Sequence, residues 1–142
     1  MTTATQEKTR TSTRSGYAVF SSLTGLAAVA VLLQGLWAGI FLEHDGRRDA
    51  AESWIDVHAR GADLALLLAV VATVWAFWKL RPRKDLWVGS LVFAVLLVAE
   101  SYLGGLIRDD GRDVLTVVHV PLALAVMGLA VWLPRRARHR RD

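Results

Sequence analysis

Four long apolar blocks, at residues 17–42, 54–80, 86–107 and 114–133, constrain this chain more than any other feature. Each reaches the roughly 20 residues that an α-helix needs to cross the hydrocarbon core of a bilayer. None alternates with period two, which excludes a transmembrane β-barrel. Helices follow, because lipid offers backbone N–H and C=O groups no other partner. The expected fold is all-α: an integral-membrane, up-down four-helix bundle. Of the 142 residues, 54% are hydrophobic, but their grouping into blocks is not that of a soluble core.

The first block is too long for the apolar run of a signal peptide, and no A-x-A site follows it, so it reads as a retained span. Residues 1–16 are rich in Thr, Ser and charge and are expected to form a disordered cytoplasmic tail. Residues 135–142 form a basic tail, expected to be similar. Pro82 falls in the turn between spans two and three, and Pro134 is expected to close the last helix. Pro121 lies within span four and is expected to kink it. Trp37, Trp54, Trp78, Trp87 and Trp132 sit near span ends, where an interfacial aromatic belt would place them.

A net charge of +4 raises the question of nucleic acid, and the positions of the charges answer it. Lys8, Arg10 and Arg14 precede span one. Lys79, Arg81, Arg83 and Lys84 separate spans two and three, and Arg135, Arg136, Arg138, Arg140 and Arg141 follow span four. The other two loops mix signs and lean acidic. This alternation is the positive-inside pattern, with both termini cytoplasmic in a cell inner (plasma) membrane. The basic tails then meet anionic lipid headgroups rather than nucleic acid. The absence of cysteine excludes disulfides, thiol chemistry, iron–sulfur ligation and covalent c-type haem attachment.

Each span carries one intramembrane polar residue of note: Gln34, His58, Glu100 and His119. Such residues are costly in lipid and are functional candidates by default. Counted from the outer ends of their spans, the histidines lie about 6 and 8 Å deep, Gln34 about 12 Å and Glu100 about 10 Å. All four share one slab. In a square up-down bundle the helices bearing His58 and His119 are diagonal, roughly 11–14 Å apart. Two inward-facing imidazoles could ligate one haem iron across that gap, making a b-type haem protein the favoured reading. Gln34 reads first as an interhelical hydrogen-bonding residue. Glu100 reads first as a structural hydrogen bond, with pairing to Arg60 or proton relay as alternatives. Arg60 could pair with Asp63 at i+3 or face a haem propionate. Small residues at Gly61, Ala62 and Ala123 leave room for a flat cofactor or for close packing, as the Gly35-x-x-x-Gly39 pattern does. His44 and His139 lie in polar segments and are expected to be solvated. Zinc is disfavoured for want of a ligand spacing.

The two halves look like copies. Aligning Gln34 with Glu100 also aligns Ala38-Gly39 with Gly104-Gly105, and a polar loop then leads to His58 or His119. A duplicated helical hairpin is the natural inference. Gln34-Gly35-Leu36-Trp37-Ala38-Gly39, followed by a loop and His58, resembles the hairpin unit of heme A synthase. The stretch from Glu100 to Gly105 with His119 is similar to the same unit. The resemblance spans about residues 30–130 and covers one four-helix half of that eight-span family. Glu100 stands where the family has glutamine, and the family's Glu-and-His pair on one helix is not recognisable. The resemblance therefore implies a haem-holding bundle, with His58 and His119 as ligands, more than it implies haem oxidation. The chain is also similar to small four-span membrane proteins of high-GC bacteria. No catalytic set and no redox or protein partner is legible. Two further readings stand beside the haem protein: a cofactor-free subunit that binds a partner, and a proton or small-solute carrier using Glu100.

Overall fold

The computed structural model describes residues 2–44 and 48–139. It contains four helices, α1 (Thr2–Glu43), α2 (Arg48–Lys79), α3 (Lys84–Asp110) and α4 (Thr116–Arg138), with a short 3-10 turn, Asp113–Leu115, before α4. All four are long and apolar enough to cross a membrane, over Ser15–Glu43, Ala51–Lys79, Lys84–Asp110 and Asp113–Arg138. Helix α1 packs against α2 and α4, and α3 packs against the same two. No contact joins α1 to α3 or α2 to α4 among the described residues. The bundle is thus the square expected from short connections, with His58 and His119 on diagonal helices. Large apolar side chains such as Leu32, Leu67, Val95 and Leu124 remain exposed on its perimeter. Helices that are apolar on their outer faces as well as their inner ones belong in a bilayer. The chain is a multi-pass helical membrane protein.

Two expectations at the chain ends differ from the structure. Helix α1 begins at Thr2, so the segment expected to be a disordered tail continues the helix over 2–14 and enters the span at Ser15. That tail holds no proline and no glycine before Gly16, and extending an existing helix costs far less than nucleating one. Pro134 does not close α4, which runs on to Arg138. Proline removes one backbone donor, leaving the Ala130 carbonyl without its intrahelical partner. The extension is held instead by Asp85. Its carboxylate accepts bonds of 2.9 Å from Arg83 and 2.8 Å from Arg136, and Arg83 also donates to the Arg136 carbonyl at 3.1 Å. The bond from Asp85 raises the Arg83 pKa above the ordinary arginine value, with the nearby Tyr17 adding to it. Of the basic tail, residues 140–142 lie outside the described residues.

Buried positions recur every three or four residues along each helix: Phe20, Thr24, Ala27 and Val31 in α1, Ala65, Ala69, Ala72 and Ala76 in α2, Leu86, Ser90, Phe93 and Leu97 in α3, and Val126, Ala130, Leu133 and Ala137 in α4. This is the spacing of a coiled-coil seam. Alanine throughout the α2 stripe lets its neighbours approach closely, which is how helices associate where lipid removes the hydrophobic drive. The hydroxyls in this region satisfy themselves on their own helices, Thr24 on the Phe20 carbonyl at 2.9 Å and Ser90 on Trp87 at 3.1 Å. The Trp75 indole donates to the Gly16 carbonyl at 3.0 Å and ties α2 to α1.

Burial is uneven along the bundle axis. No described residue of α1 beyond Val31, of α3 beyond Glu100, or of α4 before Val126 is buried. Before Ala65 in α2, only Ala51 and Gly61 are. The core therefore sits at the end that carries the termini. The other end, which carries the two longer loops, is packed loosely. There Gly111 adopts a left-handed conformation (φ 63°), ends α3 and turns the chain towards α4.

Candidate functional site

The four polar residues extend the buried seams into the loosely packed end. Stepping outward by threes and fours, Val31 leads to Gln34, Ala65 through Gly61 to His58, Leu97 to Glu100, and Val126 through Ala123 to His119. Each therefore faces inward because it is in phase with the core stripe of its helix. Glu100 is buried, with 10% of its side chain exposed, and 21% of the His119 side chain is exposed. His58 and Gln34 are half-buried.

Both imidazoles use Nδ1 toward the neighbouring helix of their own hairpin. His58 Nδ1 is 3.1 Å from the backbone carbonyl of Gln34. A carbonyl only accepts, so Nδ1 carries the proton and Nε2 keeps its lone pair. His119 Nδ1 is 2.7 Å from Glu100 Oε2. That approach is short but bent, and Nδ1 has no aligned hydrogen bond. Neither Nε2 has a protein partner among the described residues. Residues 34 and 100, which correspond in the two hairpins, each supply the acceptor, one through its backbone and the other through its side chain. The pattern is what a duplicated hairpin would produce.

The same slab gathers the unsatisfied polar atoms. Gln34 Oε1, Glu100 Oε1, Ser101 Oγ and His119 Nδ1 are sealed from solvent without an aligned hydrogen-bond partner. Buried polar groups are ordinarily paired, so their concentration at one level sets this region apart from the self-satisfied hydroxyls of the core. Phe41 meets His58 edge to face, with centroids 5.6 Å apart. Gly61 is required here, because a Cβ would run into the Trp37 ring and the Gln34 amide. Gly104 faces His119, whose Cε1 would lie 3.6 Å from an added Cβ.

Several expected interactions are not made. Arg60 follows His58 by two residues, a spacing that puts it on the opposite face of α2, and it is exposed. It pairs with neither Glu100 nor Asp63 among the described residues. Glu100 meets His119 instead. The Gln34 amide donates to its own helix at Ala30 (3.2 Å) while packing on Gly61, so its contact with α2 is steric. Gly35 and Gly39 are exposed with open space around them, not packed against another helix of the bundle. His44 bonds back to the Ile40 carbonyl at 2.8 Å, and His139 is exposed at the end of α4. The sequence also offers Arg47, Arg48, Arg108 and Arg112 near the outer loops as partners for a haem propionate; Arg108 is held by Asp109 at 2.7 Å, and Arg47 lies outside the described residues. Ser101 and Phe41 escaped the sequence reading. Phe41 had a signal, since it follows Gln34 by seven residues on the same face.

The chain matches no known protein family, no curated protein and no solved structure. The resemblance to heme A synthase rests on its two short motif stretches alone. Among the described residues, no group of three or more His, Asp or Glu side chains is placed to hold a metal ion.

Proposed function

We propose that the bundle holds one b-type haem between His58 and His119, near the outer face of the cell membrane, for electron transfer or haem handling. The observation that carries this reading is the shared state of the imidazoles. Each has Nδ1 close to an acceptor on the adjacent helix, hydrogen-bonded at 3.1 Å for His58 and at a bent 2.7 Å approach for His119, and leaves Nε2 unpartnered among the described residues. Histidines that ligate metals characteristically donate their other ring N–H to a carboxylate or a backbone carbonyl in this way. A haem would bring donors of its own and would ask the chain only for His58 and His119, so a cluster of three protein ligands is not needed. The loose packing around the histidines favours a flat cofactor there. A bound haem would supply one-electron chemistry, while the bundle sets ligand orientation, dielectric and access. The positive-inside pattern puts the site on the outer side and the basic ends on anionic cytoplasmic lipid.

The test is a visible absorption spectrum of protein made with ample haem and purified in detergent. A low-spin b-type spectrum is expected. His58→Ala or His119→Ala should abolish it or convert it to high spin, while His44→Ala and His139→Ala should not alter it. A folded, haem-replete, colourless preparation would sink the proposal. The cofactor-free subunit would then be favoured, because the His119–Glu100 and His58–Gln34 contacts also tie helices together without any ligand.

A further inference from the structure

We infer that Glu100 is a positioning residue for His119 and makes the two axial donors of the bundle chemically unequal, an inference that rests on the haem reading. The two imidazoles are placed alike but meet different acceptors. His58 faces the neutral Gln34 carbonyl at 3.1 Å, and this carbonyl also belongs to the backbone ladder of α1. His119 faces a carboxylate oxygen at 2.7 Å. When Nε2 of a histidine is committed to a metal, the proton resides on Nδ1, and straightening of the bent 2.7 Å approach then lets Nδ1–H donate and Glu100 accept. A charged acceptor makes such a bond shorter and roughly twice as strong as a neutral one.

Among the described residues nothing else pairs with this carboxylate. Its Oε1 is sealed and unpaired, the Ser101 hydroxyl beside it is unpaired, and Arg60 of α2 points away. The titratable groups that α2 and α4 turn toward it are the two histidines. Arg108, on the same helix two turns further out, is engaged by Asp109 at 2.7 Å. Little water reaches a side chain that is 10% exposed, so the negative charge acts on the ring without strong screening. Electron density pushed onto His119 strengthens it as a donor and favours the more oxidised state of what it ligates. His58 receives no comparable push. The hairpin copies have thus diverged at one matched position, with a backbone acceptor beside one histidine and a carboxylate beside the other.

The experiment compares Glu100→Gln, Glu100→Ala and Gln34→Ala in the haem-loaded protein. The readouts are haem dissociation constant, midpoint potential and low-temperature EPR. Glu100→Ala removes the acceptor, and haem affinity should fall about 10–100-fold, the usual cost of losing a partner that orients a ligand. Glu100→Gln keeps an acceptor of the same shape without the charge. It should recover most of that affinity, keep a low-spin spectrum, raise the midpoint potential and shift the EPR g-values. Gln34→Ala leaves the backbone carbonyl in place, so His58 keeps its partner and the potential should stay at the wild-type value. A wild-type low-spin spectrum with Glu100→Gln at unchanged potential and g-values would overturn this inference and leave the haem reading standing. A wild-type protein that takes up no haem would overturn both.

Discussion

Replacing Gly61 with alanine probes the contact that joins the two helices of the first hairpin at the site. A Cβ at this position would overlap Trp37 Cζ3 and Gln34 Nε2, with Trp37 Cη2 at 3.1 Å. Neither neighbour yields easily. The indole is rigid, and the Gln34 amide is tied to the Ala30 carbonyl. Forcing an extra carbon into such a contact costs about 1–3 kcal/mol. Alanine also gains about 0.8–1 kcal/mol over glycine in a helix, which offsets part of that cost. Gly35 on α1 provides the control, because an added Cβ there meets nothing within 4 Å. The helical gain is common to both variants, so their difference isolates the steric cost at about 1–3 kcal/mol. Against wild type, Gly61→Ala should lose about 1 kcal/mol, near a fivefold fall in the folded-to-unfolded ratio. Gly35→Ala, with nothing to offset the helical gain, should be stabilised by about 0.8–1 kcal/mol. Unfolding in mixed micelles, followed by tryptophan fluorescence, measures both. Equal stability of the two variants would refute the assignment of Trp37 and Gln34 to the Gly61 surface.

Asp85→Asn should weaken the clasp on Arg83 and Arg136 by about 1 kcal/mol at low ionic strength, since these side chains are partly exposed. The difference from wild type should shrink in high salt, and a salt-independent difference would contradict the ionic account. Trp75→Phe deletes the donor to the Gly16 carbonyl and should cost about 1 kcal/mol in the same unfolding assay; full wild-type stability would remove the indole from the set of helix ties. Reporter fusions at Glu7, Arg83 and Arg138 should read cytoplasmic and those at Arg48 and Asp110 external. A cytoplasmic signal from either external position would overturn the orientation.

The span count, the square arrangement and the slab of four polar residues were legible because each depends on local pattern. An apolar run of sufficient length has one outcome in lipid, and short loops force consecutive helices to be neighbours. Positions in phase with a seam face inward whatever the seam packs against. Helix ends were less legible. Pro134 carries a strong local signal to stop, and a contact from the start of α3 overrides it by holding Arg136 on Asp85.

The pairings at the site belong to tertiary structure alone. Sequence offered Glu100 three roles, a hydrogen bond of unstated partner, an ion pair with Arg60 or a proton relay. Only the placement of α4 beside α3 shows that it meets His119. The partner of His58 is a backbone carbonyl, which every residue possesses and which no residue type can announce. Likewise the need for glycine at Gly61 follows from the Trp37 ring lying on it, whereas an added Cβ at Gly35 or Gly39, the more conspicuous motif, would meet nothing within 4 Å. Periodicity along one helix determines the direction in which a side chain points. What it meets there depends on the rotation and height of a second helix, and these emerge only when all four pack together.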